Sequence, residues 1–538
     1  MDSQLCNILS IHNPFTQEQV REGFLAWPKN VAEGAARSAI FSSLQQVVKS
    51  TNINKSLQLF QTLHADVKVL EPLLRSPTNV EKEGYEQVFF QGSPWSAINF
   101  LPFALFAMSI YKSYIVPTLG VCLPFLSILL PYIFLNAFYN IPITFAQYMT
   151  LLWRMWNGSL EMPRRPEDFL NVPQVPVQVP AAVQLKALLQ NSWTLFTVGQ
   201  AIWHPIQQAR HFMKLDTDCL RLGDSVVRVK GVAGELWGIW KAWMPSWVGS
   251  WISLCPGDVR QAFAYVLESP FWLRHTLRAL GRLEIMLALA LRDDVVPAQF
   301  VAGQKPVLVL KDFGDPSIPV EKRIVSSVKF GGPTGKGPTG KGPTAKAKGS
   351  HAILTGPNRG GKSSFLRGIL MNVVLAHSFG AAFAEVAQMT HFTWIADGMR
   401  LDDTPGKESM FEREVAFGSA VLRKEGGLGL VLYDELFHST NPPDAIRTST
   451  MFCRKLWNKK NCLSIVSTHV YSLAHEAPDH IQKLCMGAWK DKGRHVFSYT
   501  VQKGVCEVSS VDLLLRQFGL LDSAGSERKG IRTSEQKL

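Results

Sequence analysis

The run Gly356-Pro357-Asn358-Arg359-Gly360-Gly361-Lys362-Ser363 fits G-x-x-x-x-G-K-[ST] and follows the apolar stretch Ala352-Ile353-Leu354, the setting of a phosphate cradle. Glycines let backbone N–H groups approach α- and β-phosphates, the Lys362 ammonium reaches β/γ oxygens, and the Ser363 hydroxyl offers a hard oxygen to Mg²⁺, with Ser364 completing the loop. Phe365, Leu366, Ile369, Leu370, Val373 and Val374 recur at helical spacing. They predict a helix from Lys362 whose positive dipole end adds to the site. Two more apolar runs end in reactive side chains. Leu428 to Tyr433 reads as a buried strand delivering Asp434 and Glu435: Asp434 for the Mg²⁺ shell, Glu435 to polarise an attacking water. Leu463 to Ser467 delivers Thr468 and His469, an imidazole placed to sense or stabilise a γ-phosphate. An Asp-Glu pair after an apolar run is common, and most of the thirteen histidines read as inert; position after a phosphate loop is what singles these residues out. The chemistry spelled out is Mg²⁺-dependent hydrolysis of a nucleoside triphosphate.

Such a constellation needs an open α/β sheet, because ligands of these sheets gather at the carboxyl ends of the strands. The chain has 538 residues, long enough for two to four domains, and 46% hydrophobic content fills sizeable cores. A net charge of +13 suits a polyanion, nucleic acid or an anionic membrane surface, yet the basic residues are dispersed. Eight scattered cysteines without a C-x-x-C pair indicate neither a disulfide framework nor a zinc site, and point to a reducing compartment. The N-terminus carries no basic and apolar secretory signal. Gly335 to Lys341 imitates a phosphate loop, but Gly342 stands where Ser or Thr is required. It belongs to a Gly/Pro/Lys repeat from 332 to 346, which reads as a flexible basic linker.

From Gln87 to Trp153 the only charged residue is Lys112, and prolines stand at 102, 117, 124, 131 and 142. The length allows two bilayer crossings, and membrane helices tolerate proline. The competing reading is a proline-kinked buried helical core. Trp237, Trp240, Trp243, Trp247 and Trp251 form a stripe that serves core packing, an interfacial anchor or a stacking surface for single-stranded nucleic acid.

The segment from Ile353 to about Leu521 resembles the ATPase domain of the MutS mismatch-repair family, an ABC-type ATPase. The match is carried by T-G-P-N-R-G-G-K-S at 355–363, Asp402-Asp403, Ser409 to Glu414, V-L-Y-D-E-L at 431–436, Ser439-Thr440-Asn441, Thr468-His469 and the closing stretch 504–520. The resemblance implies a head-to-tail homodimer in which Ser439 and Thr440 of one subunit face the γ-phosphate bound by the other. It also implies binding of DNA. Three departures bear on turnover: Ser439 stands for a glycine, Arg359 for a methionine, and Gly314-Asp315-Pro316 for Arg-His-Pro. No Phe in the first eighty residues is followed two positions later by Glu, so the family's mismatch-reading F-x-E is absent from that stretch.

The expected organisation is an N-terminal helical region (1–86), a hydrophobic segment read as a transmembrane hairpin (87–153) and a helical core or lever region (154–300). A strand-containing lead-in with the repeat linker (301–350), a MutS-like ABC ATPase domain (351–522) and a disordered tail (523–538) follow. The expected protein is an intracellular, homodimeric, DNA-binding ATPase, with the ATPase on the cytosolic side of any membrane it meets. Alternatives are a membrane-tethered ABC-type ATPase outside repair and a nucleotide-binding scaffold with weak hydrolysis. Transport is disfavoured because no L-S-G-G-Q precedes the Asp-Glu strand.

Overall fold

The computed structural model describes residues 2–11, 14–75, 78–90, 92, 94–101, 103–156, 181–331, 349–399, 409–491, 494–508 and 518. The Gly/Pro/Lys repeat, Asp402-Asp403, nearly all of the closing stretch beyond 508 and the tail from 523 lie outside the described residues. The chain divides into two compact units: Met1–Lys55 with Ala242–Met244 and Leu277–Leu538, and Ser56–Lys241 with Pro245–Thr276.

The first unit opens with α1 (Asp2–Ile8), α2 (Pro14–Leu25) and α3 (Val31–Ser50). Asn30 starts α3 by accepting the Glu33 N–H at 2.9 Å, which satisfies an orphan donor of the first turn.

The described regular elements of the second unit are all helices. They comprise α4 (Asn54–Leu74), α5 (Asn79–Glu86), α6 (Ala104–Ile110), α7 (Val116–Ala137), α8 (Phe145–Trp156), α9 (Ala181–Trp240), α10 (Ser246–Leu254) and α11 (Val259–Glu268). A π-helical turn, Tyr111–Ile115, makes α6 and α7 continuous. The 60-residue α9 is the spine. Arg228 on it pairs with Asp66 at 2.7 Å, and Asp216 accepts from Arg260 at 2.9 Å and from the Ser109 hydroxyl at 2.9 Å. Burial of these carboxylates is tolerable only because each is paired. The tryptophan stripe divides: Trp240 and Trp251 are each 1% exposed, and Trp240 donates to Ser56 Oγ at 2.9 Å, so these two serve the core. Within 87–153, α6–α7 is the one described helix long and apolar enough to cross a bilayer. With only 12 residues, α8 is too short for a second crossing.

α12 (Pro270–Ala290) leads into the α/β part of the first unit. Its strands are β1 (Val296–Pro297), β2 (Gln299–Val301), β3 (Leu308–Phe313), β4 (Ser326–Phe330), β5 (His351–Thr355), β6 (Ala381–Ala382), β7 (Val386–Thr390), β8 (Trp394–Gly398), β9 (Gly429–Tyr433), β10 (Cys462–Ser467), β11 (Gln482–Asp491) and β12 (Arg494–Lys503). Between them lie α13 (Lys362–Phe379), α14 (Met410–Arg423), α15 (Pro442–Trp457) and α16 (Tyr471–Glu476). The main sheet has the order β12-β11-β5-β10-β9-β8, with all neighbours parallel except the antiparallel edge strand β12. A second, mixed sheet runs β2-β7-β3-β4, and β1 pairs with β6.

Strands β5, β9 and β10 are buried along their whole length, the reason they read as continuous apolar runs rather than alternating ones. Leu354, Leu432 and Ile465 meet Phe365, Leu366 and Ile369 of α13 on one face. Ile353, Val431 and Val466 meet Phe452 and Leu456 of α15 on the other. The N-terminal helices close the far end of α13. Trp27 stacks on His377 with ring centroids 4.4 Å apart and donates to the Phe392 carbonyl at 2.6 Å, while Gln45 donates to the Val295 carbonyl at 2.8 Å.

Candidate nucleotide site

Because β5, β9 and β10 run parallel, their carboxyl ends share one edge of the sheet, with Ser467 in register with Leu354 and Val466 with Tyr433. The glycine loop leaves β5, Asp434 and Glu435 leave β9, and Thr468 and His469 leave β10. Sequence-distant groups thereby meet.

Left-handed backbone shapes the loop. Gly361 has φ +96° and is the residue before α13, and a Cβ there would stand 3.3 Å from Met486 Cε and 3.5 Å from Tyr499 Cδ1. Arg359, at φ +62°, adopts a conformation that costs a non-glycine residue strain. The Lys362 ammonium curls back on the loop, donating to the Gly356 and Pro357 carbonyls at 2.9 and 3.2 Å and approaching His469 Nε2 at 3.3 Å. Burial pushes its pKa down, against the opposing pull of Glu435 and Asp434.

The Ser363 hydroxyl donates to Asp434 Oδ2 at 2.5 Å, so the two oxygens assigned to a metal from sequence are adjacent. Hydroxyl and carboxylate are the hard donors that Mg²⁺ prefers, and the residues present fit that ion. Asp434 Oδ1 accepts from the Ser467 hydroxyl at 2.5 Å, and Ser467 Oγ in turn accepts the Glu435 N–H at 2.8 Å. Ser467 thus fixes both carboxylate-bearing residues. Sequence reading passed over it as the last residue of an apolar strand; the hydroxyl ending a buried run was the available signal.

Glu435 sits at φ +53°, just past the strand end, and its Oε1 lies 3.4 Å from His469 Nε2. The His469 contact, foremost, holds the Glu435 carboxyl below its ordinary range, with burial opposing. His469 Nε2 therefore stands between an ammonium and a carboxylate. It can accept from one or donate to the other, but not both with one tautomer.

Ser439 and Thr440 stand apart from this cluster, just before α15, whose first turn is capped by Asn441 accepting the Asp444 N–H at 3.0 Å. The Ser439 hydroxyl donates inward to Glu414 Oε2 at 2.6 Å, and His438 Nδ1 meets Glu414 Oε1 at 3.0 Å. Glu414, 1% exposed, is a second residue that sequence reading did not assign a role, although it ends the quoted Ser409–Glu414 motif.

A cavity of about 390 Å³ opens over the loop. Asn358, Gly360, Gly361 and Ser364 of the loop line it together with Phe313, Ile318, Ile324 and Tyr499. Asp315, from the departing Gly-Asp-Pro, accepts from Arg367 Nε at 2.6 Å, and Arg367 donates to Ser364 at 3.3 Å.

Residues 352–514 match the family profile of MutS domain V. The chain carries a divergent MutS domain V. The DNA mismatch repair protein MutS of Thermus thermophilus is 28% identical over 190 residues, 33% of this chain and 23% of the relative. The DNA mismatch repair protein MSH3 of Pyricularia oryzae is 28% identical over 224 residues, 41% of this chain and 19% of the relative. The mitochondrial DNA mismatch repair protein MSH1 of Arabidopsis thaliana is 34% identical over 162 residues, 29% of this chain and 14% of the relative. The chain thus spans under a quarter of the length of each of these relatives.

Proposed function

We propose that this chain binds ATP with Mg²⁺ through an ABC-type P-loop domain and hydrolyses it. The observation that carries the reading is the convergence of the glycine loop, the Ser363–Asp434 pair and the Glu435–His469 pair at one sheet edge. Gly356 to Ser364 cradle the phosphates with backbone N–H groups, and Lys362 exchanges its loop carbonyls for β/γ oxygens. Ser363 and Asp434 hold the ion, which supplies charge neutralisation of the phosphate oxygens when bound. Glu435, kept ionised by its imidazole neighbour, orients a water and takes its proton. His469, released from Lys362 as that ammonium turns to phosphate, holds its Nε2–H on Glu435 until that carboxylate takes the water's proton, and then turns it toward the developing charge.

The full assembly in this reading is a homodimer whose composite sites receive the Ser439-Thr440 segment from the other subunit. Since Ser439 donates its proton to Glu414, Thr440 is the hydroxyl of that segment available to a phosphate. The relatives' mismatch-repair names and the charge of +13 favour DNA as the polyanion the ATPase acts on.

Glu435→Gln is expected to lower the hydrolysis rate about 10²- to 10⁴-fold, the range for losing a general base, while nucleotide binding persists. Steady-state phosphate release beside equilibrium binding of a fluorescent ATP analogue checks it, and an unchanged rate would exclude Glu435 as the base. Titrations of homoduplex, mismatched and branched DNA with and without ATP, over a range of salt, test the DNA assignment. A steep salt slope without structure preference or ATP dependence would reduce it to polyanion attraction.

A further inference from the structure

The helix from Ala104 to Ala137 is apolar on every side and open to solvent: only 6% of its most apolar stretch is buried. Tyr114, Ile115 and Val116 are all exposed, as are Ile128, Leu129 and Leu130. Three successive residues sweep more than half the circumference of an α-helix, so these are not one unpartnered stripe. A helix apolar all round belongs in a large core or in lipid.

It has a companion. Ser109 meets Asp216 at 2.9 Å, Lys112 lies over the Phe212 ring at 5.6 Å, and a Cβ on Gly120 would stand 2.9 Å from Pro205. As one number rises the other falls, so the N-terminal half of α9 runs antiparallel to α6–α7. That half is also apolar and open, with Leu188, Leu189, Trp193, Leu195, Phe196 and Trp203 exposed. Its hydroxyls are satisfied within the helix: Ser192 donates to the Leu188 carbonyl at 2.9 Å and Thr194 to the Gln190 carbonyl at 2.8 Å.

We infer that α6–α7 and the N-terminal half of α9 form a helical hairpin that inserts into a lipid bilayer from one side. No Asp, Glu, Lys or Arg occurs in 113–153 or in 187–209. At 1.5 Å per residue, 113–137 and 187–209 are about 37 and 34 Å long, matched to a hydrocarbon core of about 30 Å. Lys112 and exposed Arg210 mark the base of both helices, where cationic side chains meet headgroups. The Asp216–Arg260–Ser109 cluster anchors that base. An aqueous protein partner would cover a stripe, whereas the apolar surface here encircles α7. The hairpin differs from two crossings within 87–153, since its returning helix is α9. It stands independently of the nucleotide assignment.

Cys122, midway along α7, is exposed, while the other seven cysteines are buried, so one environment-sensitive fluorophore can be placed there in the full chain. With vesicles of phosphatidylcholine alone in high salt, the labelled protein is expected to float with the lipid. Its emission should shift to the blue and be quenched by nitroxides on the acyl chains. The pair Leu126→Glu and Leu130→Glu, at exposed positions one turn apart, should abolish flotation while leaving the thermal transition and ATP affinity in place. Three results would overturn the inference: protein left at the bottom with unchanged emission, flotation confined to anionic vesicles and lost in salt, or a blue shift that needs protein concentration and no lipid, meaning that a second copy covers the hairpin.

Discussion

A serine at the end of β10 governs how the two carboxylates of the site divide their work. Ser467 ties down Asp434 Oδ1 and the Glu435 backbone, which leaves Asp434 Oδ2 with Ser363 and turns the Glu435 side chain to His469. The imidazole contact lowers the proton affinity of Glu435, so its base form is present above the ordinary carboxylate value and persists until the pH falls through the lower native one. His469→Ala removes the largest cause of that lowering and leaves burial, which raises the pKa. The acidic limb of the pH–rate profile for ATP hydrolysis is expected to move to higher pH; a limb that stays in place would show that Glu435 does not set it. The residues that do the proposed chemistry were legible because Lys362 and Ser363 close a glycine loop and Asp434, Glu435 and His469 follow apolar runs. Ser467 and Glu414 were not, because each holds other side chains in three dimensions, and of that the chain shows only a hydroxyl closing an apolar run and a carboxylate closing a motif.

Elements were legible where one environment persists along their length. β5, β9 and β10 lie wholly inside the α/β core and were announced by unbroken hydrophobicity, and α13, buried apart from Ser363, Ser364 and Arg367, by helical spacing. The order of strands in the sheet was not legible, since parallel neighbours distant in sequence depend on crossovers with no local signal. The long α9 offers a contrast within one helix. A Cβ on Gly223 would lie 2.1 Å from the Val259 carbonyl oxygen at the crossing with α11, whereas one on Gly231 meets nothing within 4 Å. Gly223→Ala is expected to destabilise by about 1–3 kcal/mol, as overpacking does. Gly231→Ala is expected to stabilise by about 0.5–1 kcal/mol, from helix propensity alone. Chemical denaturation of the two variants, with opposite shifts of midpoint, checks both; equal shifts would mean that the α9–α11 crossing is loose.

At the scale of the molecule, sequence reading identified the ATPase-like segment from its motifs and expected helices within 1–86, but not that the first of them pack behind that segment. Residues 14–50 carry no motif, and their partners on α13 and β7–β8 lie more than 300 positions away, as with Trp27 and Phe392. A fragment holding only 295–508 would uncover Phe379, Phe392 and Phe300, on which Gly23, Trp27 and Gly34 pack. It is expected to aggregate, and co-expression with residues 1–55 to restore a soluble complex on size exclusion. A monodisperse fragment by itself would show these helices to be dispensable.

Arg37 of α3 gives this packing a further meaning. Its guanidinium donates to the His377 and Ser378 carbonyls, at 2.9 and 3.4 Å, where α13 ends at the left-handed Gly380. The same helix begins at the glycine loop, so a triphosphate that tightened one tip would stiffen the grip at the other. Deuterium uptake by the amides of residues 31–38 should then slow when ATP is added, some eighteen helical residues away from the phosphates.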